Sequence, residues 1–299
     1  MKPNFFIVGA PKCGTTALAS YLNDRDDVLI SEPKEPHYFA DDFPHYKKLI
    51  PDIKAYEYLF SIAEENKKIK AVGEASVWYL YSQIAVENIY SYRSDAKIII
   101  MIRDPIDVIE SLHRQLLWTM DEDEKDINKA VKLAKQRRQN LCVPKSCREP
   151  KFLQYVDVVK FGKQIESVYK IFPRSQVMVI EYEEFKNETK KVYSDVTSFL
   201  GLEDDCRDSF PRINQRKESR SKFVAKITQR PPDWLVYGIN GVKKITGKRK
   251  LGLMKKLIKL NSRPAGYEKL CEKLKESIRK EIDGDMKKLQ IIIGRENRF

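Results

Sequence analysis

Asn4-Phe5-Phe6-Ile7-Val8-Gly9-Ala10-Pro11-Lys12-Cys13-Gly14-Thr15-Thr16 is the stretch from which the rest of the chain is read. Its apolar start suits a buried strand, and the glycines and hydroxyl residues that follow suit a tight turn into a helix. That arrangement cradles a phosphate. Glycine lets the backbone fold around an anion, the N–H groups of the helix start point at it, and Lys12 with the Thr15 and Thr16 hydroxyls adds charge and donors. A nucleoside triphosphate loop reads GxxxxGK[ST], with its lysine after the second glycine. Here Lys12 comes before Gly14.

A second stretch repeats the strand, turn and helix order. Lys97-Ile98-Ile99-Ile100-Met101-Ile102 is a buried-strand run, Arg103-Asp104-Pro105 follows it, and Ser111 lies eight residues after the arginine. Arginine offers a planar fork for phosphate oxygens, and a serine in the first turns of the next helix adds a hydroxyl donor. Read alone, Arg103 and Asp104 are equally well an ion pair at a strand end.

Read together, the two stretches resemble the sulfotransferases that use 3′-phosphoadenosine 5′-phosphosulfate (PAPS). Pro11-Lys12-Cys13-Gly14-Thr15-Thr16 resembles their 5′-phosphosulfate loop, and Arg103 with Ser111 resembles their 3′-phosphate motif. Lys34-Glu35-Pro36-His37-Tyr38-Phe39 is similar to the Lys-Glu-x-His-Phe-Phe segment of the heparan-type and related bacterial members. Gly73-Glu74-Ala75-Ser76 is similar to a Gly-Glu-x-Ser/Thr stretch. Phe172-Pro173, Val177 to Glu183 and Phe199-Leu200-Gly201-Leu202 match later landmarks. The likeness runs from residue 4 to about 225, with a looser one at Asn214 to Arg220, where Arg216 would belong to a late cofactor-side loop.

The resemblance implies in-line transfer of a sulfuryl group from PAPS to an acceptor hydroxyl, or an amine, with 3′-phosphoadenosine 5′-phosphate (PAP) as product and no metal. The donor would be held by Pro11, Lys12, Cys13, Gly14, Thr15, Thr16, Arg103, Ser111 and Arg216. Negative charge builds on the bridging oxygen of the leaving phosphate, where Lys12 would stabilise it. Glu74 is expected to take the acceptor proton. Lys34 would steady the sulfuryl oxygens or the base. His37 ranks second as base, because cytosolic sulfotransferases use a histidine, while His45 and His113 are read as incidental.

Strands expected at 4–9, 28–30, 69–73, 97–102 and 177–180 alternate with helical stretches, which argues for a mostly parallel central sheet flanked by helices. That is an α/β fold of the P-loop kinase-like, three-layer type. Residues 115–160 are charged, helix-prone and broken by Pro144 and Pro150, as a substrate-covering insertion would be. A sulfotransferase core over 1–230 and a basic helical extension over 231–299, packing on the same domain, are the expected division, because the chain turns basic after Arg230-Pro231-Pro232.

The net charge of +13 concentrates between Gly241 and Leu260, where eight lysines and arginines meet no acid and alternate with apolar residues. This suits an amphipathic basic helix, either a solvated face or a contact for an anionic acceptor such as a carbohydrate, or for an anionic membrane surface. No nucleic-acid module accompanies it. Five scattered cysteines fit a reducing compartment better than a disulfide framework, and Cys142 with Cys147 is the one close pair left open to a looped disulfide. Cys13 is read as a small filler that helix-end charge would make reactive only by lowering its pKa. No apolar stretch is long enough to span a membrane, and with the first strand expected within a few residues of Met1 no signal peptide is expected. The expected location is cytoplasmic, with a Golgi-lumenal fragment lacking its anchor as the alternative. Two other functions remain open, an ATP-dependent P-loop phosphotransferase and a non-catalytic polyanion-binding module.

Overall fold

The computed structural model describes residues 2–47, 50–213, 218–219, 262–263 and 268–294. Five apolar segments form the strands β1 (Phe5–Gly9), β2 (Val28–Ile30), β3 (Ala71–Glu74), β4 (Lys97–Ile102) and β5 (Val177–Glu181). They build one sheet in the order β2-β3-β1-β4-β5. Every neighbouring pair in it is parallel, with Phe6 beside Glu74 and Ile98, and Ile99 beside Met178. The near-continuous burial of β1, β3 and β4 is what a parallel sheet covered on both faces requires.

The connections are helical: α1 (Thr15–Asn23), the short α2 (Pro44–Lys47), α3 (Ile53–Tyr58) and α4 (Ile62–Glu65), then α5 (Ala85–Tyr92) and α6 (Pro105–Thr119). Beyond them come α7 (Ile127–Arg137), α8 (Tyr155–Val158), α9 (Phe161–Ile171), α10 (Tyr182–Asn187) and α11 (Thr189–Leu200), and a last described helix spans Glu272–Ile293. This is the P-loop kinase-like α/β architecture. The last helix crosses α9 closely. A Cβ on Gly162 would lie 2.2 Å from the Asp285 carbonyl oxygen. The Asp285 carboxylate accepts from the Gly162 and Lys163 amides, both at 2.8 Å, at the start of α9.

The chain divides into two compact units. The first comprises Met1–Leu112, Gln154–Asn214 and Leu270–Phe299 and holds the sheet; the second comprises His113–Leu153 and Gln215–Lys269. Within the second, Arg137 and Glu122 form an enclosed pair with contacts of 2.6 and 2.7 Å, and Arg148 grips the buried Asp121 carboxylate. His113 is buried and donates from Nε2 to the Glu124 carbonyl at 2.9 Å, a structural role. The expected division at 230, the basic run 241–260 and Arg216 all lie outside the described residues.

Candidate active site

The carboxyl ends of parallel strands are where ligands of α/β sheets bind, since strand ends and helix starts converge there. Gly9, Glu74, Ile102 and Glu181 end β1, β3, β4 and β5 on this edge, so Lys12, Arg103 and Tyr182 follow directly after it. Lys34 follows β2 by the same logic.

On the donor side, the Ala10 amide donates to the Met101 carbonyl at 2.7 Å, tying the phosphate-type loop to the neighbouring strand. Gly14 caps α1 with φ 92°, in the left-handed region that suits glycine. A Cβ there would also lie 3.0 Å from the Tyr182 ring. The Thr15 and Thr16 amides, at the start of α1, have no acceptor within the helix and are available to an anion. Cys13 is fully buried, and burial pushes its thiol well up despite the lowering influence of Arg103 and Lys12. It is a filler, not a reactive thiol.

Arg103 also lies against Tyr182, its guanidinium carbon 4.6 Å from the ring centroid. Asp107 holds one guanidinium nitrogen at 2.5 Å, while the Nε is buried with no acceptor among the described residues. An orphaned donor of this kind fits an anionic ligand. Asp104 caps the start of α6 by accepting from the Asp107 amide at 3.0 Å, and Ser111 is half-buried on α6. Tyr182 therefore joins the two phosphate-type motifs. In sequence Tyr182 is a family landmark without a role, and its position directly after a buried strand end is the signal that marks it.

The acceptor-side candidates fall on a turn after β2. Lys34 pairs with Glu35 at 2.8 Å and donates to the Ala75 carbonyl at 3.0 Å. His37, with φ 53°, donates from Nε2 to Glu35 at 3.3 Å. Burial lowers the His37 pKa in spite of that carboxylate, so the ring is neutral at neutral pH. Burial would raise Glu35, but the His37 hydrogen bond and the Lys34 charge outweigh it and hold the carboxyl at about 2.

Glu74 stands behind this turn with 0% of its surface exposed. Its Oε1 accepts from the Tyr56 hydroxyl at 2.8 Å and the Tyr79 hydroxyl at 3.0 Å, and its Oε2 accepts from Ser76 at 2.8 Å. Burial raises its pKa, and these three bonds limit the rise to about 7. The pKa suits a base, yet the carboxylate is fully enclosed and accepts from three hydroxyls. The Glu35 side chain is 35% exposed, in contrast to the enclosed Glu74. The sequence reading gave Glu35 no role, although it stands between Lys34 and His37.

Cys142 and Cys147 are both free thiols. No group of three or more potential metal ligands occurs among the described residues. No described helix is long and apolar enough to cross a membrane.

A parallel sheet with phosphate-type loops after β1 and β4 defines a P-loop-like transferase scaffold. The sulfotransferase domain model matches residues 2–231, and the chain belongs to that family. A sulfotransferase of known structure from Alicyclobacillus acidocaldarius is 28% identical, with a TM-score of 0.62 over 85% of this chain and 99% of that one. Carbohydrate sulfotransferase 15 of Rattus norvegicus is 24% identical over 77% of this chain and 48% of its own length. Heparan sulfate glucosamine 3-O-sulfotransferase 5 of Homo sapiens is 26% identical over 71% of this chain and 55% of its own. The chain thus spans about half the length of these curated relatives.

Proposed function

We propose that this protein transfers a sulfuryl group from PAPS to a hydroxyl of a carbohydrate-like acceptor. The observation that supports the reading is the approach of both Gly14, in the Lys12–Thr16 loop, and the Arg103 fork to the Tyr182 ring. One site would take the 5′-phosphosulfate and the other the 3′-phosphate, which ATP lacks. The relatives named for carbohydrate and heparan sulfate substrates support the acceptor class.

In the reaction, the acceptor oxygen forms a bond to sulfur while the bond from sulfur to the bridging oxygen of the 5′-phosphate breaks, leaving its electron pair on PAP. Lys12 and the α1 amides stabilise that developing charge. Lys34 steadies the sulfuryl oxygens. The acceptor proton goes to Glu35, not to the enclosed Glu74, because a base must lie within hydrogen-bond reach of the proton it takes. Neutral His37 orients Glu35 through Nε2. Arg216 is retained as a donor-side residue, and the basic run 241–260 as the contact for an anionic acceptor or membrane surface, on their sequence alone.

Calorimetric titration with PAP, beside ADP and ATP with magnesium, tests the donor. Tight PAP binding that weakens sharply in Arg103→Ala supports the reading. Preference for ATP would move it to a phosphotransferase, and no nucleotide binding would move it to a polyanion-binding module.

A further inference from the structure

Each residue whose hydroxyl Glu74 receives also contacts the turn that carries Lys34, Glu35 and His37. Ser76 Oγ accepts from the His37 amide at 3.0 Å. Tyr79 Oη accepts from the Phe39 amide at 3.2 Å. The Tyr56 ring stacks on Tyr38, with centroids 4.8 Å apart and planes 19° from parallel. Resting on the sulfuryl-transfer reading above, we propose that Glu74 is a positioning residue, which sets the acceptor-side turn by fixing the direction of the Ser76 and Tyr79 hydroxyls and the place of the Tyr56 ring.

Proton count sets these directions. A serine or tyrosine hydroxyl has a single proton to donate. Ser76 and Tyr79 both spend theirs on Glu74, so their lone pairs face the His37 and Phe39 amides. A carboxylate is the one side chain here that offers acceptors only, and can receive all three hydroxyls at once. Two backbone bonds complete the attachment of the turn to β3 and its exit. Ser31 donates to the Gly73 carbonyl at 3.0 Å, and Ala75 donates to the Lys34 carbonyl at 3.1 Å. Without the carboxylate, a hydroxyl that turns toward the loop presents its proton to an N–H group, and the amide loses its acceptor. Such a loss is expensive in a buried place.

Glu74→Gln replaces one acceptor oxygen with an NH2 donor at the point where the hydroxyls converge. Hydrogen exchange of a peptide covering 34–39, measured without donor or acceptor, should quicken by about tenfold, the size expected for one lost buried hydrogen bond. Exchange over 97–112 and the PAP dissociation constant should stay at wild-type values. Turnover with PAPS and a de-O-sulfated heparan oligosaccharide should fall, with a rise in acceptor KM. In the Ser76→Ala/Tyr79→Phe background, adding Glu74→Gln should cost much less than it does alone.

Lost kcat with unchanged exchange over 34–39 and unchanged acceptor KM would make Glu74 the direct proton acceptor and overturn the proposal. Unchanged exchange together with unchanged turnover would overturn it equally. If Glu74→Gln does not fold, Tyr79→Phe alone must still quicken exchange at the Phe39 amide, and failure there counts against the proposal. Because exchange is read without ligands, failure of PAP binding in the wild type would remove the sulfuryl-transfer reading and leave the exchange result standing on its own.

Discussion

The donor side and the acceptor side of this site are built in opposite ways. The Gly9–Thr16 loop and the Arg103–Ser111 segment are each short, contiguous in sequence, and positioned by a strand that ends and a helix that begins. The acceptor-side turn 34–39 is held from outside itself, by the Ser76 and Tyr79 hydroxyls, 39 and 40 residues away in sequence, and by the Tyr56 ring, all of which converge on one buried carboxylate. A site made of local geometry tolerates changes elsewhere, while one made of distant hydroxyls fails when any of them is turned. The two halves should therefore break differently under mutation.

The largest effect is expected at Lys12, where the charge that develops on the leaving oxygen has its fixed counter-charge. Lys12→Ala should lower kcat by about 10³-fold, the upper range for removing one preorganised electrostatic contact. Single-turnover measurement with PAPS checks it. A loss under tenfold would mean that the α1 amides carry the load alone.

Next comes Glu35→Gln, which removes the proposed base and leaves its surroundings in place. A fall in kcat of about 10²- to 10³-fold is expected, with PAP binding unchanged in calorimetry, since general base catalysis is worth about that much. Near wild-type turnover would return the proton to Glu74 and collapse the contrast between the two halves.

That contrast also explains what could be read from sequence. The five strands were legible because each is an apolar run flanked by turn residues, and they appear within two residues of the expected spans. Lys12, Gly14 and Arg103 were legible for the same reason, being tied to strand ends by spacing alone. Glu74 was legible as a residue, but its enclosure was not. Nothing in the string Gly73-Glu74-Ala75-Ser76 reveals that Tyr56, a residue of the separate helix α3, would close over the carboxylate. Glu35 and Tyr182 were passed over because their importance depends on exposure and on ring packing, which only the fold decides.

Arg103→Ala should weaken PAP binding by about 10- to 100-fold, in line with a loss of ~1.5–3 kcal/mol for a hydrogen bond to a charged group. ADP, which has no 3′-phosphate, should bind the variant and the wild type alike. Equal weakening of both nucleotides would show that Arg103 supports the loop through Tyr182 instead of contacting phosphate, and would make the donor side less modular than its sequence suggests.

The smallest effect expected is a pH dependence, and it bears on the acceptor side alone. Glu35, held at about 2, stays ionised throughout the useful range and contributes no acid limb near neutrality. Glu74 is raised to about 7 from 4.5, chiefly by burial, so its native state holds the proton more tightly than the unfolded chain does. Its contribution to stability is therefore fully present below 4.5 and is given up between 4.5 and about 7. Activity should move the other way. Protonation takes up one acceptor site on Glu74 and displaces a hydroxyl from the set that holds the turn, so kcat/KM for the acceptor should rise with pH through about 7. PAP binding over the same range should show no matching step from this group. In Glu74→Gln the acceptor limb should flatten at its lowered level. A limb that persists unchanged in that variant would assign it to another group and uncouple the carboxylate from the turn.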